Sequence, residues 1–80
     1  MLTDTDQAIL ALEERMPRHS GAKERAIRAE TGTGPARYYQ HLDQLIQRPE
    51  VIAAHPMLVN RLTRIRTERA ADRSRRILGR

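Results

Sequence analysis

The sequence predicts an all-α protein, and three observations carry that prediction. Tyr38, Leu42, Leu45 and Ile46 fall at i, i+4, i+7 and i+8, one continuous apolar helical face. Pro17, Pro35, Pro49 and Pro56 stand where helices stop or begin. Between two helical patterns lies Gly32-Thr33-Gly34, so the stretch from Ala26 to Ile46 reads as helix, glycine turn, helix. The expected architecture is a small helix-turn-helix domain with a three-helix core, followed by a short helix and a long basic C-terminal helix. Residues 1–65 would form the domain, and residues 66–80 an arginine-rich helical extension or tail.

The first helix starts at Thr3 to Thr5, where Thr and Asp can cap open amide groups and the acids suit the positive end of the helix dipole. Ile9, Leu12 and Met16, with Ala8 and Ala11, give it one apolar stripe, and Pro17 ends it. Ser20 or Gly21 caps a second helix, about Ala22 to Thr31, in which the small Ala26 permits close helix approach and Ile27 enters the core. Gly32 tolerates the left-handed geometry that closes it. The third helix runs from Pro35 to Ile46, a short fourth from Pro49 to Ala54, and a fifth opens at Pro56. Leu58, Leu62 and Ile65 share a face that should dock the fifth helix for about two turns. From Arg66 onward a solvated helix, or a tail that orders on a partner, is expected.

Composition limits function. A chain of 80 residues buries only about 60% of its unfolded surface, so its core is thin and a large active-site cleft is not expected. It has no cysteine, and therefore no disulfide or thiolate metal site. The acidic start, Met-Leu-Thr-Asp-Thr-Asp, lacks the features of a signal peptide, and no segment has the roughly 20 apolar residues of a membrane span. A cytoplasmic, nucleoid-associated protein is expected. Residues 61–80 hold eight arginines against Glu68 and Asp72, so residues 1–60 carry a net charge of −1 within a total of +5. Such a basic end suits a polyanion, with nucleic acid ahead of an anionic membrane. The plainer alternative is a solvated face in which Arg64 pairs with Glu68 and Asp72 with Arg76 one turn away.

Catalytic chemistry finds little support. His19, His41 and His55 lack metal-site spacing and read as surface or helix-end residues, while the adjacent Glu13 and Glu14 read as solvated charges. Gly32-Thr33-Gly34 lacks the Lys-Ser/Thr of a phosphate-binding loop. No enzyme, cofactor, metal or small-molecule substrate is expected.

The outward side of the third helix carries the functional expectation. In a helix-turn-helix the N-terminal part of the second motif helix enters the major groove. There Arg37 can address guanine, Gln40 adenine and Asp43 cytosine, Ala36 allows approach to a base methyl, and Tyr39 can meet sugar or phosphate. Lys23, Thr33, Arg61, Arg64, Arg66, Arg69, Arg73, Arg75 and Arg76 are the candidate backbone contacts. Pairing of two copies through Leu58, Leu62 and Ile65 on the C-terminal helices would bring two such readers to two half-sites. A membrane role is weakened by the missing sustained apolar face and aromatic anchors.

The register Ile27, Thr31-Gly32-Thr33-Gly34, Tyr38, Leu42, Ile46 resembles the helix-turn-helix of sigma-factor region four and of response-regulator output domains. More closely, Gly21-Ala22-Lys23-Glu24-Arg25-Ala26-Ile27-Arg28, Arg37-Tyr38-Tyr39-Gln40 and Arg48-Pro49-Glu50 resemble a family of short actinobacterial proteins of unknown function. That likeness runs from about Asp6 to the basic C-terminus, and implies a sigma-like helix-turn-helix in a DNA-binding regulator or chromosome organiser. The chain departs from the family just before Gly21, where members carry aromatic residues and this chain has Glu14-Arg15-Met16-Pro17-Arg18-His19. The leading expectation is thus a sequence-preferring binder of double-stranded DNA. The rival is a protein-interaction module for RNA polymerase or a sigma factor.

Overall fold

The computed structural model describes the backbone of residues 1–78, and the side chains through residue 68 together with 71 and 72. Thr3 opens the first helix, α1 (Asp4–Arg15). Its hydroxyl accepts from the Asp6 N–H at 3.0 Å, and the Asp6 carboxylate accepts from the Thr3 N–H at 3.0 Å. This reciprocal box satisfies two amide groups that have no partner within the helix. Met16 closes the helix with its N–H on the Leu12 carbonyl, and Pro17 follows, where helical geometry at Met16 is disfavoured.

Ser20 caps α2 (Gly21–Thr31) by accepting from the Lys23 N–H at 3.1 Å. Gly32 then takes φ 71° and ψ 13°, the left-handed conformation that reverses the chain at little cost only without a Cβ. The Thr31 hydroxyl donates to the Ile27 carbonyl at 2.6 Å and lies 2.9 Å from the Thr33 hydroxyl, which braces the turn from within. Pro35 is the first residue of α3 (Pro35–Leu45). A turn at Ile46 to Arg48 leads to α4 (Pro49–Ala54), and a break at His55 leads to α5 (Pro56–Leu78). The expected helices are all present, with α2 starting one residue earlier and α3 ending one residue sooner than their patterns predict.

α1 packs on both α2 and α3, which pack on each other, and α4 packs on α5. One apolar cluster joins Ile9, Leu10 and Leu12 of α1, Ile27 of α2, Tyr38, Leu42 and Leu45 of α3, and Ile46. Val51, Leu58 and Val59 extend it under α4 and α5. With no Phe or Trp in the chain, Tyr38 is the largest fully buried side chain. Leu58 is buried, and Leu62 and Ile65 are half-buried, so α5 is docked over the two turns its spacing predicts. Arg66, Thr67, Glu68, Ala71 and Asp72 are exposed, and the helix continues unbroken past residue 65 for a total length of about 34 Å.

Candidate nucleic-acid interface

α3 separates its residues cleanly by face. Tyr38, Leu42 and Leu45 are buried, whereas Ala36, Arg37, Gln40, Asp43 and Gln44 are exposed. The division follows from 3.6 residues per turn acting on one apolar stripe. Arg37, Gln40 and Gln44 stand at i, i+3 and i+7 on the outward side, and their side chains have no hydrogen-bond or ion-pair partner among the described residues. Gln44 was not among the expected contacts, although its position four residues after Gln40 places it on the same face. At the edge of this face Asp43 lies 3.9 Å from Arg66 of α5. That contact sets the start of the arginine-rich half of α5 beside α3, and places a cation against the one acid on the face.

Two expected contacts are corrected. Lys23 does not present its charge outward: its side chain is 1% exposed, and its Nζ lies 2.6 Å from Oε2 of an equally buried Glu13. The Tyr38 hydroxyl donates to the same carboxylate at 2.5 Å. Lys23 precedes Ile27 by one turn and Glu13 follows Ile9 by one turn, so both occupy the apolar faces of their helices. Pairing across the α1–α2 junction is what makes their burial tolerable. Glu13 is therefore an interior group and not the solvated charge its composition suggested, while Glu14 is exposed. Burial, and then the Glu13 carboxylate, push the Tyr38 hydroxyl far above the ordinary tyrosine range, which keeps it a proton donor.

Tyr39 is the second correction. It is half-buried, with its hydroxyl 2.9 Å from Nδ1 of His19 and its ring edge-on to Tyr38 at 4.9 Å. Nε2 of His19 lies 2.9 Å from Glu24. With Nε2–H donating to that carboxylate, Nδ1 accepts from the Tyr39 hydroxyl, and the phenol is committed to holding the α1–α2 connection against α3. Tyr39 also lines a cavity of about 370 Å³ whose apolar floor is Leu42, Ile46, Leu62 and Ile65. It thus faces α5 and not the outer side of α3.

The other candidates divide. Thr33 is half-buried with its hydroxyl on Thr31, and Arg61 is half-buried, donating to the Glu13 carbonyl at 3.3 Å. Arg64 is exposed, as are Arg18, Arg25 and Arg28 on and before α2, three cations that were not singled out from the sequence. Arg66 is exposed beside Asp43. The contacts expected of Arg69, Arg73, Arg75 and Arg76 lie outside the described side chains.

A second buried acid fixes α3 from the opposite flank. Asp6 of α1 lies 2.7 Å from Nε2 of His41 and accepts from Arg48 at 3.3 Å, besides its bond to Thr3. Burial opposes its charge, but the Thr3 amide, the His41 imidazole and the Thr3 hydroxyl together outweigh it and hold the carboxyl below its ordinary value. His55 lies 3.9 Å from Glu14, so each of the three histidines has a carboxylate neighbour. Among the described residues no group of three His, Asp or Glu side chains is arranged to hold a metal ion, and no helix is long and apolar enough to cross a membrane.

The fold defines a small all-helical protein with an exposed polar face on α3 and an arginine-rich helix beside it. The chain belongs to the family described as protein of unknown function DUF3263, which matches residues 1–74. No curated protein and no solved structure matches it.

Proposed function

We propose that this protein binds duplex DNA, with α2, the Gly32 turn and α3 acting as a helix-turn-helix and α3 lying in the major groove. The observation that carries the reading is the outer face of α3, where Ala36, Arg37, Gln40 and Gln44 are exposed directly after a tight left-handed turn. Arg37 matches the two acceptors of guanine, and Gln40 and Gln44 match the donor and acceptor of adenine. Arg25 and Arg28 on α2 replace Lys23 as phosphate contacts, since the first helix of such a motif crosses the backbone. Arg64, Arg66 and the arginines further along α5 add affinity that does not depend on sequence. The role is that of a transcriptional regulator or nucleoid-associated protein.

Selection from a pool of random duplexes tests this. The native chain is expected to enrich a short motif, and the triple variant R37A/Q40A/Q44A to lose the enrichment while retaining its helical circular dichroism. Failure of the native chain to retain any duplex at low salt, together with co-purification of a polymerase subunit or sigma factor, would favour the protein-interaction module instead.

A further inference from the structure

The three acids of α2 and α3 each meet a basic side chain from outside those helices: Glu24 meets His19 of the connection, Glu30 meets Arg15 of α1, and Asp43 meets Arg66 of α5. The three arginines of the same helices, Arg25, Arg28 and Arg37, are exposed and have no ion-pair partner among the described residues. Lys23 is held by Glu13, so α2 and α3 by themselves would present three acids against three arginines. Such a surface has no net attraction for a polyanion. Glu24 and Glu30 stand three residues either side of the buried Ile27 and flank the core side of α2. Asp43 stands apart from them, exposed at the edge of the α3 face that carries Arg37 and Gln40.

We propose that Arg66 makes the outer face of α3 approachable by DNA through Asp43, by cancelling the one carboxylate on that face, and not as one more phosphate contact. The proposal rests on the reading of α3 as a duplex-binding helix. Arg66 and Asp43 lie 3.9 Å apart, with 52% and 53% of their side chains exposed. An ion pair so exposed adds little to stability. Its effect is on the field: the separation is well inside the screening length of about 8 Å at physiological salt, so phosphates beyond the pair sense little net charge from it. Without Arg66, Asp43 would oppose the phosphates that border the groove. Arg64 provides the contrast. It is exposed two residues earlier, about 200° around α5, and has no acid partner among the described residues, so its charge acts on phosphate directly.

Fluorescence anisotropy with one duplex at one low salt concentration tests this on the full chain, in the native protein, R66Q, D43N and R66Q/D43N. R66Q is expected to weaken binding about tenfold in the native background and less than about twofold in the D43N background. R64Q is expected to weaken binding by the same factor in both backgrounds. Because the side chains are exposed, every variant is expected to keep the native circular dichroism and urea midpoint. Selection from random duplexes with D43N is expected to enrich the native motif, since Asp43 acts by its charge and reads no base. An R66Q loss as large in D43N as in the native background overturns the proposal, as does an R66Q that binds like the native chain, or a cytosine preference that D43N abolishes. A native chain that binds no duplex overturns the DNA reading itself, and the native measurement alone tells that failure apart from the others.

Discussion

Lys23 and Arg37 are both cations on short helices of one three-helix core, and the fold treats them oppositely. Lys23 is sealed between α1 and α2 against Glu13, while Arg37 stands in solvent on α3. The same contrast separates two regions. Across the junctions of α1, α2 and α3, polar groups face one another: Glu13 with Lys23 and Tyr38 in the interior, Asp6 with the half-buried His41, and the exposed His19 with Tyr39 at the surface. Arg15 likewise pairs with Glu30 between α1 and α2. On the outer face of α3 the side chains of Arg37, Gln40 and Gln44 have no such partners among the described residues, Asp43 at its edge meets Arg66, and on α5 Arg64 stands exposed. These polar contacts fix how the helices lie, and with that where the exposed side chains of α3 stand. In a domain too small for a thick core, the positioning falls partly on polar pairs.

Removing one member of the buried pair should break this contrast most severely. K23M leaves the Glu13 carboxylate buried with only the Tyr38 hydroxyl, at an expected cost of about 3–5 kcal/mol, a large fraction of the stability of a small domain. Urea titration followed by circular dichroism measures it. The double variant E13L/K23M should recover much of the loss, because an apolar pair of similar volume needs no charge compensation.

D6N should cost about 1.5–3 kcal/mol at neutral pH, because Asp6 is a buried carboxylate with several donors. The folded-state carboxyl titrates below its ordinary 3.8, so the unfolded chain takes up the proton first as the solution is acidified. The Asp6 contribution is therefore fully present above about pH 5 and lost as pH falls through the lower folded value. Thermal melts from pH 7 down to pH 2 should show a smaller acid-induced fall in D6N than in the native chain.

Much of the framework was legible in the sequence because helix periodicity and proline placement are local signals. The Tyr38 to Ile46 face, the Gly32 turn and the starts of α3, α4 and α5 at prolines all follow from residues within one or two turns of each other. Contacts whose deciding partner is distant in the chain carry no such local signal. Lys23 and Glu13 carry charges that composition assigns to solvent, and only the packing of α1 on α2 brings them together. Their spacing from Ile27 and Ile9 was the available signal, and residue type overrode it. Tyr39 stands one residue off the apolar stripe, and a residue at the stripe's edge can face a neighbouring helix, here α5 and the His19 connection. Gln44 was missed by stopping the outward face at Asp43.

On the exposed side the expected effects move from stability to binding. R37A and Q40A should each leave the urea midpoint nearly unchanged while reducing discrimination between preferred and altered duplexes by about 1–3 kcal/mol. Fluorescence anisotropy with paired probes reads that difference. G32A tests the hinge between the two regions. A Cβ there meets nothing within 4 Å, so its expected cost of about 1–2 kcal/mol comes from the left-handed backbone alone. Urea titration should show that loss, and at temperatures where G32A remains folded its DNA preference should match the native one.

The most direct test of the division between a reading face and a cationic helix is the dependence of duplex affinity on salt concentration. It should be compared between the native chain and a variant with Arg64, Arg69, Arg73 and Arg76 replaced by glutamine. The expected result is a steep fall in native affinity with added salt, and a slope shallower in the variant by about one for each arginine that contacts a phosphate, with the preferred sequence retained. Native affinity that is absent at low salt, or a slope that the four substitutions leave unchanged, would contradict it.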